Sequence, residues 1–342
     1  MKFVSYIFLI LTLFNNSACA TVTRKMESSM HFKDGKFHNT GEIPAKSFWK
    51  FLTMRMSTKW EEWPDKVEFP EGQKPPIKVD DSDIRVTFIN HATLLIQVGG
   101  YNILTDPQYS KRCSPLSFLG PQRAHLPGIP FEKLPKIDVV IVSHDHYDHL
   151  DLDTIERLVK RDNPKIFVGL GVKERINTND NVREMDWWEE FTISEKFKLH
   201  FVEVQHFSGR SLWDRNSTLW GGFVLEVADR KIYFGGDSGY GGHYRKTFER
   251  FGAMDLSLLP IGAYSPREFM GPVHLDPRQA VQAHKDLKSK KSIGMHFGTF
   301  QLTAESIDEP VNLLRQESRD ADLKENEFVA LEPGQFWISQ GI

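Results

Sequence analysis

Ile137-Asp138-Val139-Val140-Ile141-Val142 runs into Ser143-His144-Asp145-His146-Tyr147-Asp148-His149-Leu150-Asp151, and the reading of this stretch decides the fold. The short apolar run predicts a buried strand, and the pattern from about Asp151 to Arg161, with Ile155, Leu158 and Val159 on one side, predicts a helix. Strand, loop and helix in that order are the unit of an α/β domain. The loop between them holds three histidines and Asp148 within six positions. Alternation along extended backbone points His144 and His146 the same way, so the two can grip one cation. Once the chain turns toward the helix, Asp148 and His149 leave in another direction and can serve a second. Imidazole with carboxylate suits zinc best, and other divalent transition metals such as iron or manganese also fit. A short histidine tract alone is weak evidence for a metal site. This one directly follows a buried strand, which is where sites sit in layered α/β folds.

Three further stretches end a predicted strand in a potential ligand. Val202-Glu203-Val204-Gln205-His206 delivers His206, Ile232-Tyr233-Phe234-Gly235-Gly236-Asp237 delivers Asp237, and Ile293-Gly294-Met295-His296 delivers His296. Each alone reads more readily as a packed histidine or a turn. Together with the loop they complete a dinuclear set. His144, His146 and His206 would serve one metal, Asp148, His149 and His296 the other, with Asp237 and a shared water between them.

The composition sets bounds around this reading. The 342 residues accommodate one α/β domain with an N-terminal extension as readily as two domains. Hydrophobic residues at 40% and charged residues at 26% are ordinary for a soluble protein. A formal charge of -3 excludes the basic footprint of a nucleic-acid binder and predicts no steering field for acidic substrates. Eight Trp and 25 Phe are mostly core material, with enough left over to line an apolar cleft.

Residues 1–20 read as a signal peptide: Met1-Lys2, an apolar run from Phe3 to Phe14, then Asn15-Asn16-Ser17-Ala18-Cys19-Ala20. That run is too short to span a bilayer as a mature helix, so the expectation is export, to a bacterial periplasm. Ser17-Ala18-Cys19 resembles the end of a lipobox, which would place a lipid anchor on Cys19. Asn16 stands where Leu is expected, and cleavage after Ala20 is the equal alternative. Cys113 is the only other cysteine, so a disulfide within the mature chain is excluded. Residues 21–80 form an arm, polar and Pro-bearing. Within it Lys46 to Trp60 predicts a helix with Phe48, Phe51, Leu52 and Met56 on one side and Trp49 and Trp60 flanking. Such a helix can lie on an anionic membrane or pack on the domain, as amphipathic helices mostly do.

The main domain, 81–342, opens with strands at Arg85 to Ile89, Thr93 to Val98 and Tyr101 to Leu104, the last two joined by Gly99-Gly100. A long Pro/Gly loop, Cys113 to Pro130, is a candidate binding loop. Strands are expected near Lys165 to Val168, Lys198 to Val204, Gly222 to Val227, Lys231 to Phe234, Leu256 to Leu259 and Ser292 to Met295. Helices are expected near His243 to Phe251, Pro277 to Leu287 and Ala304 to Arg315, and a final hairpin from Phe328 to Ile338.

His144-x-His146-x-Asp148-His149, His206, Asp237 and His296, in this order, resemble the metallo-β-lactamase superfamily. Asn90-His91-Ala92-Thr93, Leu104-Thr105-Asp106-Pro107, Gly236-Asp237-Ser238-Gly239-Tyr240, His274-Leu275-Asp276-Pro277 and His296-Phe297-Gly298-Thr299-Phe300 narrow the likeness. With them the chain, from roughly His31 onward, resembles N-acylphosphatidylethanolamine-hydrolysing phospholipase D and its bacterial relatives. It departs at Phe207, where Trp is common. The resemblance implies an αββα sandwich of two mixed sheets flanked by helices, two zinc ions at one edge, and hydrolysis of a phospholipid to N-acylethanolamine and phosphatidate at a membrane surface. It also implies Asp148, Asp106 and His274 as catalytic groups, with His274, Tyr240 and Thr299 as substrate contacts. Asp106 is expected to accept a ring N–H from a ligand histidine and fix its tautomer. His91 reads equally well as a packed histidine. Asp276 predicts a helix N-cap and Pro277 its first residue, which sets His274 just outside a helix N-terminus, where phosphate is attracted. A lactonase or soluble phosphodiesterase on the same fold, and a non-catalytic membrane-attached lipid binder, are the competing readings. Oligomeric state is not legible.

Overall fold

Apolar residues occupy both faces of the central strands, so each sheet must be covered twice, and that requirement sets the architecture. The computed structural model describes residues 25–41, 43, 48–80, 83–176 and 181–339; the expected signal peptide with Cys19, and the side chains of Phe48 and Phe51, lie outside the described residues. A two-residue hairpin, β1 (Phe32–Lys33) with β2 (Lys36–Phe37), and a helix, α1 (Phe48–Ser57), precede the first sheet. There β3 (Ile84–Asn90), β4 (Thr93–Val98) and β5 (Tyr101–Thr105) form an antiparallel meander. β6 (Val139–Ile141), α2 (Leu152–Asp162), β7 (Lys165–Gly169) and β8 (Val182–Met185) extend it with parallel strands. The second sheet repeats the sequence of pairings. Antiparallel β9 (Glu190–Ser194), β10 (Phe197–Val202), β11 (Gly222–Val227) and β12 (Arg230–Phe234) come first. After α3 (His243–Phe251) follow β13 (Leu256–Pro260), α4 (Arg267–Met270), α5 (Pro277–Asp286), β14 (Ser292–Met295), α6 (Glu309–Asp320) and β15 (Phe328–Ala330), the strands all parallel. β16 (Phe336–Ile338) returns to the first sheet against β3. The strand orders are β16-β3-β4-β5-β6-β7-β8 and β15-β14-β13-β12-β11-β10-β9.

The period of two along the strands distributes side chains among three apolar layers. Val139 and Ile141 of β6 join Phe88, Ile96, Phe201, Phe223 and Leu258 in the core between the sheets. Val140 points the other way, to Leu95, Leu104, Ile155 and Leu158 beneath α2. Leu259 of β13 likewise joins Tyr233, Val281 and Leu314 beneath α5 and α6. The result is the αββα sandwich. Among the described residues, no helix is long and apolar enough to cross a membrane.

Three expectations need correction. Phe328 to Ile338 is not a hairpin, because β15 pairs with β14 in one sheet and β16 with β3 in the other. The chain crosses at Pro333-Gly334, where Gly334 has φ 87° and donates to Phe88 O. Gly72 and Gly128 close on this turn so tightly that a Cβ on Gly128 would stand 1.9 Å from Gly334 N. The helix expected from Ala304 begins instead at Glu309. The Glu305 carboxylate is taken up by the amides of Ala263 and Ser265, which holds that segment as loop, and Pro310 fits only a first helical turn. The edge strands β8 and β9, and the β1–β2 hairpin in the arm, were not anticipated from sequence.

Pairing directions put the site at one end of the sandwich. β5 and β6 run parallel and deliver Asp106 and His144. β10 is antiparallel to β11, and β11 to β12, so β10 runs with β12, β13 and β14, and their ends deliver His206, Asp237 and His296.

Candidate metal centre

The histidines converge with fixed tautomers. Asp106 accepts from Ser143 N at 2.7 Å, from Ser143 Oγ at 2.7 Å and from His149 Nδ1 at 2.6 Å. Since the Ser143 hydroxyl gives its proton to Asp106, it accepts from His144 Nδ1 at 2.9 Å. One carboxylate therefore leaves Nε2 of both His144 and His149 as the ligand atoms. His206 donates Nδ1–H to Val273 O at 2.9 Å and presents its own Nε2.

These nitrogens and two carboxylates form two adjoining groups. In the first, His144 Nε2 lies 2.7 Å from His146 Nδ1, which lies 3.4 Å from His206 Nε2. In the second, Asp148 Oδ2 is 3.3 Å from both His149 Nε2 and His296 Nε2. Asp237 stands between them, with Oδ2 3.2 Å from His149 Nε2 and 3.7 Å from His206 Nε2, and Oδ1 3.1 Å from His296 Nε2. Ligand bonds of about 2.0–2.1 Å at tetrahedral angles separate neighbouring donor atoms by roughly 3.3 Å, so these spacings fit the edges of two coordination shells. His149 Nε2 and Asp237 Oδ1 are, moreover, buried with no hydrogen-bond partner among the described residues, an arrangement a metal ion resolves.

The electrostatics agree with that fit. Burial drives His146 down to about 4 and His206 to about 3, and takes His144 well below its ordinary value, keeping these rings neutral as ligation requires. Burial also resists ionisation of Asp148 and Asp237, yet His149 and His296 outweigh it and hold both carboxyls well below the usual range. Burial opposes charge on His149 and His296 in turn, and the surrounding carboxylates override it, raising His149 well above and His296 to about 9, so these two rings hold a proton at Nε2 that a metal ion would displace. Buried carboxylates in this number demand positive charge beside them.

His91 belongs to this constellation. It is buried, donates Nε2–H to Asp148 Oδ2 at 3.1 Å, and its ring centre lies 4.0 Å from that of His296, the planes tilted by 44°. His274 lies at the rim, its Nδ1 3.8 Å from Asp237 Oδ2 and without a hydrogen-bond partner among the described residues, and burial lowers it to about 3. Asp276 caps α5 by accepting from Gln279 N at 2.8 Å, and Pro277 starts the helix. Arg267 holds the same turn through His274 O at 2.9 Å and Asp276 Oδ2 at 3.0 Å. The hydroxyls of Tyr240 and Thr299 do not join the cluster. Tyr240 donates to Asp286 Oδ2 at 2.6 Å, and Thr299 Oγ1 receives His91 N–H at 2.8 Å and contacts His125 Nε2 at 3.1 Å.

Arg210, to which sequence reasoning gave no role, clasps the metal loop. Its Nη1 donates to Asp145 O at 2.8 Å and Leu150 O at 2.9 Å, at the two ends of the motif, while its guanidinium lies 3.8 Å over the Tyr147 ring. A cation four residues after a strand-end histidine was the only available hint.

Fold and site together define a metal-dependent hydrolase of the β-lactamase superfamily, and the chain belongs to that family: residues 101–297 match the family described as Beta-lactamase superfamily domain. The chain is 38% identical over 273 residues to the N-acyl-phosphatidylethanolamine-hydrolyzing phospholipase D 1 of Caenorhabditis elegans, the match covering 75% of this chain and 76% of that one. It is 35% identical over 255 residues to the mitochondrial N-acyl-phosphatidylethanolamine-hydrolyzing phospholipase D of Saccharomyces cerevisiae, covering 72% of this chain and 53% of the yeast protein. Among solved structures, the metallo hydrolase Igni18 of Ignicoccus hospitalis shares the fold with a TM-score of 0.57 at 21% identity, over 75% of this chain and 99% of that one.

Proposed function

We propose that the protein is a zinc-dependent phosphodiesterase of phospholipase D type, hydrolysing N-acylphosphatidylethanolamine to N-acylethanolamine and phosphatidate. The observation that carries this reading is the pairing of the ligand cluster with His274 at its rim, in a chain related over most of its length to enzymes named for that reaction. His144, His146, His206 and Asp237 would hold one ion, and Asp148, His149, His296 and the other oxygen of Asp237 the second. Bound there, two zinc ions supply Lewis acidity and lower the pKa of water toward neutrality. Asp106 keeps two ligand rings in the binding tautomer, directly at His149 and through Ser143 at His144. His274, kept neutral by burial, donates N–H to a non-bridging phosphate oxygen. Water oxygen ends on phosphorus, the phosphorus–oxygen bond to the ethanolamine breaks, and N-acylethanolamine leaves with a proton.

A bilayer-borne substrate requires apolar surface. Trp49 of α1 at 72% exposure, Phe118 at 75% and Trp213 at 88% supply side chains of the kind that seat at a membrane interface. Export, with a lipid on Cys19 or cleavage after Ala20, completes the proposal for an enzyme working at a periplasmic membrane face. Purified protein assayed with N-acylphosphatidylethanolamine, a lactone and a chromogenic diester, with and without chelator, tests it. Turnover of the phospholipid that chelator abolishes and zinc restores is the expected result; turnover of the lactone alone refutes it.

A further inference from the structure

His206 lies beyond the end of β10, where its backbone has left the sheet ladder, and its N–H and C=O need partners from elsewhere. Both come from one side chain of the N-terminal arm. Asn39 Nδ2 donates to His206 O at 2.7 Å, and His206 N donates to Asn39 Oδ1 at 3.1 Å. A primary amide can do this because it carries donor and acceptor side by side, reproducing the two bonds of a β-bridge. The arm is seated for the purpose. Phe37 is fully buried in the core between the sheets, its N–H donates to Asn216 O at 2.8 Å, and Asn216 N bonds Ser208 O on the loop that follows His206. The preceding residue is held from the opposite side, by Gly239 N on Gln205 O at 2.9 Å.

We propose that Asn39 is a positioning residue for the metal centre, and that the N-terminal arm is a working part of the first metal group because it fixes the backbone of His206. This rests on the metal reading above. Asn39 bonds the main chain of His206 and acts on the metal group through that backbone. The ring of that ligand is set by Val273 O, but the position from which the ring projects is set by Asn39.

The isosteric substitution Asn39→Asp keeps the shape, removes the donor and sets a carboxylate oxygen against the His206 carbonyl. Stepwise zinc binding by the full chain, followed by competition with a chelating indicator, should show one step weakened by about 10–100-fold, as for lost partners of metal ligands, and the other unchanged. Asn39→Ala, which removes both bonds without adding charge, should read the same way and serves if the aspartate variant does not fold. Lys25→Ala cuts the arm's ion pair with Glu189, 2.8 Å long, at another point, and should leave both steps at wild-type strength. Unchanged steps in both Asn39 variants, equal weakening of the two steps, or the same loss in Lys25→Ala would each overturn the proposal by showing no role or only general scaffolding. Wild-type chain that takes up no zinc would remove the metal reading itself, a result distinct from loss in the variants alone.

Discussion

His149 donates its Nδ1–H to Asp106 Oδ2 across 2.6 Å, and both side chains are completely buried. Asp106 accepts three hydrogen bonds, two of which determine the tautomers of ligand histidines. In Asp106→Asn one oxygen becomes an NH2 group facing those same donors. The expected outcome is a fall in zinc affinity of about 10–100-fold, measured by chelator competition. Wild-type affinity in this variant would show that the ligand rings are oriented by something other than Asp106.

Arg210 bridges the carbonyls of Asp145 and Leu150, so a substitution that keeps length but not donors isolates the clasp. Arg210→Met should lower unfolding free energy by about 1–3 kcal/mol, the range for buried acceptors stripped of a partner. Denaturant titration measures it. A loss within about 0.5 kcal/mol, typical of a surface change, would mean that the loop holds itself.

Two buried histidines outside the ligand set predict the acid limb of stability. Burial depresses His125 from 6.5 to about 4 and His243 from 6.5 to about 3. As pH falls below 6.5 the unfolded chain binds protons that the folded chain refuses. Stability is therefore full above about 6.5 and declines toward the folded values, by up to about 1.4 kcal/mol per pH unit for each group. Urea unfolding of metal-loaded protein between pH 7.5 and 5 should show this slope, shallower in His243→Gln. A variant slope equal to wild type would show that His243 contributes nothing to it.

Much of this fold was legible because its information is local. β6, α2 and the intervening loop carry a change of period from two to 3.6 with ligands at the junction, and β12 and β14 are likewise followed by ligands, at Asp237 and His296. β9 escaped because Glu190–Ser194 is an edge strand, partly exposed along its length, and gains its identity only by pairing with β10. β15 and β16 were read as one hairpin because spacing carries no record of which sheet each joins. The site divides the same way. The ligands sit at strand ends, whereas Asn39, His91 and Arg210 act from turns and loops through hydrogen bonds spanning 167, 57 and 60 or more residues. No periodicity marks such residues, since only the folded backbone brings their partners near.

His274 offers the sharpest test of the substrate reading. Its Nδ1 stands 3.8 Å from Asp237 Oδ2, too far for a hydrogen bond, and is buried without a partner among the described residues. A polar atom held in that condition beside a metal cluster takes a metal ion, a substrate atom or an ordered water as its partner. Its Nδ1 lies near enough to His206 and Asp237 to ligate, but the carboxylate it faces already lies within 3.2 Å of His149 and 3.1 Å of His296 and the first group already has three imidazoles, so each group has its protein ligands without it and the remaining position is left for water. The turn carrying it is fixed independently by Arg267 and by the Asp276 cap, so truncation should not disturb the fold. His274→Ala is therefore expected to keep its full zinc content and melting temperature while turnover of the diester falls by about 10²–10⁴, the range for a lost electrostatic or proton-transfer partner. Metal analysis and steady-state kinetics on the same preparation decide it. A loss of zinc would reassign His274 to the coordination shell, and undiminished turnover would remove it from the reaction.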